Sequence, residues 1–101
     1  MDRIEIENRG IGEGQPCFII AEVGVNHNGD PELAMKMVEA AAQAGADCVK
    51  FQTFRAQEFV NDAEETYTYK SQGREVTESM LEMFQRLELK QEEFARLFER
   101  T

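Results

Sequence analysis

A basic surplus, a metal-type cysteine spacing and any long apolar run are all missing from this chain. It carries 11 Lys and Arg against 20 Asp and Glu, a formal net charge of −9. That balance excludes general binding to nucleic acid or to an anionic membrane, both of which need a basic face. It leaves a phosphorylated substrate open, because one local lysine can outweigh a distant acidic surface. The excess acid lies at Glu64–Glu65 and from Glu75 onward, on expected solvated helix faces. Cys17 and Cys48 form no CxxC and no Cys/His spacing, which argues against a disulfide or metal framework. They read as two reduced, buried side chains at the starts of strands. No apolar run approaches the roughly 20 residues that span a bilayer. Met1-Asp2-Arg3-Ile4-Glu5 has no apolar signal core, so a soluble cytoplasmic protein is expected. With 101 residues, there is room for one small domain.

What is present centres on 18–53. F-I-I-A-E-V-G-V-N-H-N-G-D-P leads into a helix, and G-A-D-C-V-K-F-Q-T follows it. The order is strand, polar loop, helix, tight turn, strand: one βαβ unit. Residues 3–13 alternate apolar and charged around Asn8-Arg9-Gly10, predicting a short leading β-hairpin. Gly14-Gln15-Pro16 breaks that pattern before a strand at 17–23. Asn26-His27-Asn28-Gly29 tolerates positive φ. Asp30 is an N-cap residue, and Pro31 suits the first helical position. Leu33, Ala34, Met37, Val38, Ala41 and Ala42 recur at helical spacing, and Gly45 supplies the stop.

Such a unit makes its strands parallel. Period-two alternation then sends Val49 and Phe51 one way and Cys48, Lys50 and Gln52 the other. Val49 and Phe51 suit packing under helices. Polar residues at a strand's C-terminal end, on the face opposite the helices, favour a barrel interior over an open doubly wound sheet, because barrel active sites lie at that mouth. Glu22 sits in the same position on the first strand. Charges in such strands need partners or a ligand.

Residues 54–76 are polar, with one helical turn expected within Ala56–Ala63. A connection of that length is usually functional or disordered. Tyr67, Tyr69 and Gln72 within it are candidates to reach a ligand. Thr77 is the expected cap of a helix over 78–87, with Met80, Leu81, Met83, Phe84 and Leu87 as its apolar stripe. A second helix from about Gln91 turns Phe94, Leu97 and Phe98 inward. It has no stop signal, and two parallel strands leave two bare edges. The chain therefore reads as part of a larger fold.

F-I-I-A-E-V-G-V-N-H-N-G-D-P, A-G-A-D-C-V-K-F-Q-T-F and E-S-M-L-E-M-F-Q-R-L-E-L together resemble the sialic acid synthases and, more broadly, the nonulosonate synthases. The resemblance covers essentially the whole chain. It implies an α/β fold, the N-terminal portion of a (β/α)8 TIM barrel: a hairpin at about 3–13, a first βα unit at about 17–44 and a second at about 48–101. The rest of the barrel and a C-terminal antifreeze-like domain are not in this chain. The implied reaction condenses phosphoenolpyruvate with N-acetylmannosamine or a related N-acetylated amino sugar and releases phosphate. A divalent metal, Mn²⁺ or Mg²⁺, would polarise the sugar aldehyde, held by histidines of later strands. The intact enzyme is implied to be a homodimer.

Carried over residue by residue, Glu22 matches the essential acid after the first strand, and Lys50 the lysine of the V-K-x-Q-T strand. Gln52 matches the glutamine that follows, and Asn26 and His27 the N-H of the first loop. Glu22 and Lys50 are thus the expected catalytic residues, with Lys50, Gln52, Asn26 and His27 contacting substrate. Lys90 stands where the family has a capping Ser or Asn, a loss of about 1 kcal/mol at most. On its own the chain is expected to be inactive. Two competing readings are a non-catalytic assembly module and a different phosphoenolpyruvate-using barrel aldolase.

Overall fold

The computed structural model describes residues 3–60 and 64–101. Its elements run β1 (Ile4–Ile6), β2 (Arg9–Ile11), β3 (Ile20–Gly24), α1 (Pro31–Gln43), β4 (Cys48–Phe51) and α2 (Ala56–Phe59). Then come β5 (Thr66–Ser71), β6 (Arg74–Ser79), α3 (Met80–Leu87) and α4 (Gln91–Arg100). The strands form three separate pairs: β1–β2 antiparallel, β3–β4 parallel and β5–β6 antiparallel. They close no barrel among the described residues.

The β3–α1–β4 unit follows the sequence pattern. The Asp30 carboxylate accepts the Glu32 and Leu33 N–H groups at 2.9 and 3.3 Å, and Pro31 opens α1. After the Ala44 cap, Gly45 takes φ +90°, the left-handed stop that glycine adopts without strain. Alternation also holds. Val49 and Phe51 pack against a core of Ala34, Val38, Leu89 and Leu97, completed by Met35 and Phe94. Phe51 meets Phe94 edge-on, with ring centroids 6.3 Å apart. Helices α1 and α4 thus cover one face of the pair, and Cys48, Lys50 and Gln52 are exposed.

Several expectations give way. The first hairpin turns at Glu7-Asn8, not Asn8-Arg9-Gly10: both residues have positive φ (49° and 68°), as a two-residue turn demands. This leaves Arg9 inside β2, where its guanidinium pairs with Asp47. Asp47 also accepts the Ile19 N–H at 2.8 Å, so it fastens the leading hairpin to the start of β3. Both contacts hold the Asp47 carboxyl below its ordinary range, the Ile19 hydrogen bond foremost. Both cysteines are free, but neither is buried. Cys17 precedes β3, and Cys48 shares the uncovered face with Lys50.

The polar stretch expected to lack regular structure contains the β5–β6 hairpin. It turns at Gln72-Gly73 (φ 52° and 79°) and pairs the Thr68 and Thr77 hydroxyls at 2.8 Å. Thr77 is therefore a strand residue, and Ser79 caps α3 through the Glu82 N–H. The turn expected within Ala56–Ala63 is α2, with 61–63 outside the described residues. The α3 stripe is half-buried. Lys90 has no side-chain acceptor to cap α4, but the Glu93 carboxylate accepts its N–H at 2.8 Å. Phe98, expected inside, is 80% exposed and lines an open groove beside Val38 and Val49. No helix of the described residues is long and apolar enough to cross a membrane.

Gly29 fixes how α3 meets the loop after β3. It takes φ +76°, and an added Cβ would lie 1.9 Å from the Arg86 carbonyl oxygen. Backbone strain and a clash with backbone both oppose any side chain there. Gly29→Ala is expected to lower stability by about 2 kcal/mol or more, read as a fall in the urea midpoint; an unchanged midpoint would show that the two segments are not in contact.

Candidate active site

The face of β3–β4 left uncovered by α1 and α4 gathers the candidate residues. Register sets Glu22 directly opposite Lys50. Their side chains meet as an ion pair, Nζ to Oε2 at 3.3 Å. The pairing then slips between Glu22 and Gly24, so Gly24 rather than Val23 stands opposite Phe51. Such an irregularity re-aims the side chains beside it. Val23 turns inward and is buried, while Gly24 takes φ +59°.

Gly24 is the floor of this cluster. A Cβ there would lie 3.1 Å from Glu22 Oε1 and 4.0 Å from Gln52 Nε2. The missing side chain leaves the space between the carboxylate and the amide open. Three of the sequence-predicted residues, Glu22, Lys50 and Gln52, therefore meet around one glycine. Sequence reading gave Gly24 no role. The signal for more was there, a glycine two residues past a strand glutamate.

Asn26 opens the next turn, donating its N–H to the Val23 carbonyl at 3.0 Å, and it is exposed. His27 is placed otherwise. Its ring is 1% exposed, 6.1 Å from the Phe51 ring by centroids. Nδ1 accepts the Gly29 N–H at 3.0 Å, which assigns the ring proton to Nε2. Among the described residues Nε2 has no hydrogen-bond partner, a buried donor that costs about 1–3 kcal/mol when unmade. Burial pushes the His27 pKa down; Asp30, Glu93 and the Gly24 carbonyl act the other way. The structure does not bring His27 to the face of Glu22 and Lys50. It sits under the loop.

Tyr69, a candidate for ligand contact, already donates its hydroxyl to Glu78, whose carboxylate also takes Arg86 Nη2 at 3.3 Å. That hydrogen bond raises the Tyr69 pKa and lowers that of Glu78. Tyr67 stacks on Tyr69 at 5.9 Å and stays half exposed. This Tyr69–Glu78–Arg86 set ties β5 and β6 to α3. Alternating Thr and Tyr in T-Y-T-Y was its signal.

No group of three or more His, Cys, Asp or Glu among the described residues is arranged to hold a metal ion. The chain's one histidine has Nδ1 engaged and Nε2 buried. The donor set here does not fit a metal.

A model of the NeuB family matches residues 37–101, which include Lys50 and Gln52. An N,N'-diacetyllegionaminic acid synthase of Legionella pneumophila is 48% identical over 82 residues, 81% of this chain and 23% of that protein. A human N-acetylneuraminate-9-phosphate synthase is 54% identical over 44 residues, 44% of this chain and 12% of that protein. The crystal structure of an N-acetylneuraminic acid (sialic acid) synthetase from Leptospira borgpetersenii, in complex with citrate, matches with a TM-score of 0.78. Its identity is 33%, covering 98% of this chain and 30% of that one. The chain spans about a quarter of the length of the curated relatives it matches.

The Lys50 and Glu22 side chains are 64% and 48% exposed, so their pair contributes at most about 1 kcal/mol. Lys50→Met and Glu22→Gln are each expected to move the unfolding free energy by less than that, measured in urea. A larger loss from either would make the pair a structural brace.

Proposed function

The chain belongs to the NeuB family, and on that footing we propose that it supplies one wall of a nonulosonate synthase site. In this reading it is the amino-terminal portion of a (β/α)8 barrel. The intact protein condenses phosphoenolpyruvate with N-acetylmannosamine or a related N-acetylated amino sugar, forms a C–C bond and releases phosphate. The observation that carries the reading is the opposition of Glu22 and Lys50 across β3 and β4, with Gln52 beside them over Gly24.

The side chains divide the work by their chemistry. Lys50 is a compact cation on a flexible stem, suited to the phosphate or carboxylate of phosphoenolpyruvate. Its pair with Glu22 is weak enough for an arriving anion to replace. Glu22, once released, can orient or move protons during attack on the sugar aldehyde and collapse of the phosphate-bearing intermediate. Gln52 can hydrogen-bond the sugar, and exposed Asn26 can add a second polar contact. His27 leaves the contact set because its ring is buried.

A divalent ion, Mn²⁺ or Mg²⁺, would need ligands from beyond the described residues. A homodimer and a cytoplasmic location, where phosphoenolpyruvate is made, belong to the same proposal. The sugar remains the family's general class, since the relatives' names span legionaminic and N-acetylneuraminic acid products.

A hybrid tests this reading directly. The present chain replaces the segment it matches in the Legionella synthase, 23% of that protein, and phosphate release is followed with phosphoenolpyruvate, an amino sugar and Mn²⁺. The expected hybrid is active, and Lys50→Met or Glu22→Gln lowers its rate by about 10²-fold or more. The 101-residue chain alone is expected to release no phosphate above blank. A folded hybrid that is inactive with every amino sugar, or one indifferent to Lys50→Met, would overturn the assignment.

A further inference from the structure

We propose that His27 is a proton-sensitive positioning residue: its neutral ring latches the Asn26–Gly29 loop beside the Glu22–Lys50 pair, and protonation releases it. The latch is a single geometry. Nδ1 accepts the Gly29 N–H at 3.0 Å, inside a site where the ring is 1% exposed. An imidazolium carries hydrogen on both nitrogens. Protonation at Nδ1 therefore sets two donors against each other across 3.0 Å. Nε2 already carries a hydrogen in the neutral ring and has no hydrogen-bond partner of good geometry among the described residues, so it gains nothing that offsets the lost contact at Nδ1. The charged ring is then buried with a donor facing Nδ1, and the Gly24 carbonyl is the one backbone acceptor that favours its charge.

The neighbourhood sets how hard the latch is to open. Desolvation opposes the charge, and Asp30 beside the loop and Glu93 on α4 favour it, as does the Gly24 carbonyl at the end of β3. The ring's β4 neighbour, Phe51, carries no charge. Arg86 on α3 presents its backbone carbonyl to Gly29 and commits its guanidinium to Glu78. Because burial lowers the folded pKa, the latched loop is fully stable above the ordinary histidine value near 6.5. It loses that stability as pH falls from there toward the folded pKa.

The consequence reaches the site through the backbone. The loop runs from Gly24, the floor between Glu22 and Gln52, to Gly29, which is wedged against α3. Holding Gly29 therefore fixes one end of the segment that presents Asn26, and β3 fixes the other. The latch does not depend on the reaction proposed above, so its test reads the loop and not the chemistry.

His27 is the only histidine, which makes its ring nitrogens unambiguous by NMR on the full chain. At neutral pH the ring should be the Nε2–H tautomer, with Nδ1 at the downfield position of an unprotonated nitrogen. The Gly29 amide should exchange about tenfold or more slowly than an open amide, after correction for intrinsic exchange. On acidification, that protection should disappear with the same midpoint as the ring's titration. His27→Asn puts an amide oxygen where Nδ1 lies and should keep the protection without the acid step. His27→Phe keeps the ring but removes the acceptor, and should lose the protection at every pH. The proposal is overturned by an Nδ1–H tautomer, by a Gly29 amide unprotected at neutral pH for whatever reason, or by unequal midpoints. Protection that survives His27→Phe, or an acid step that persists in His27→Asn, overturns it equally.

Discussion

The parallel pairing of β3 with β4 is the constraint on which the rest depends. A strand has two faces, and α1 and α4 take one of them with Val49 and Phe51. Everything of the opposite parity must then stand on the other face. Lys50 is aimed away from the core by the packing of its two partly buried neighbours. Register adds the second half of the result, placing Glu22 where Lys50 can meet it. A slip of one residue would bury both charges and expose both core side chains.

The loop between β3 and α1 joins this pair to the rest of the chain. Gly29 abuts the Arg86 carbonyl, and Arg86 reaches Glu78, which holds Tyr69. A run of contacts thus leads from the end of β3, through the end of α3, to the outer hairpin. Helix α4 is fastened to α1 on the other side by Arg96–Glu32 and Arg100–Glu39 at 3.4 and 3.2 Å. Those exposed pairs add little energy. The shared apolar seam of Val38, Leu89 and Leu97 accounts for more.

What could be read in the sequence was what local rules determine. Asp30, Pro31 and Gly45 delimit α1 because capping and backbone freedom act within a few residues. Alternation sorted β4 because a strand's period admits no second solution. The grouping of Glu22, Lys50 and Gln52 followed from those rules together with the motif. The misses have a common cause, since each depended on a choice between nearly equal local options. Asn8 can sit in the turn with Glu7 or with Arg9-Gly10, and the cross-strand pair Ile6–Arg9 decides it. Thr77 and Ser79 both cap helices well, but Thr77 is claimed by Thr68 across the hairpin. Tyr67–Ser71 is too polar to stand out as a strand until its partner is known. Cys48 and Phe98 are apolar by type, yet lie where none of the described residues covers them. His27 gave no hint of burial, because a polar loop is ordinarily at the surface.

The ion pair of Glu22 and Lys50 has a consequence for the encounter with a charged ligand. A lysine facing a carboxylate at 3.3 Å presents almost no net field to a molecule still in solution. The chain around it is strongly negative, at −9. An anion approaching this face is repelled at long range and meets its attractive partner only on contact. Added salt screens the repulsion beyond about 10 Å, the Debye length near 0.1 M, and weakens the short contact less. Under the proposed function, capture of an anion by this wall speeds up as ionic strength rises, the reverse of the behaviour of an electrostatically steered site.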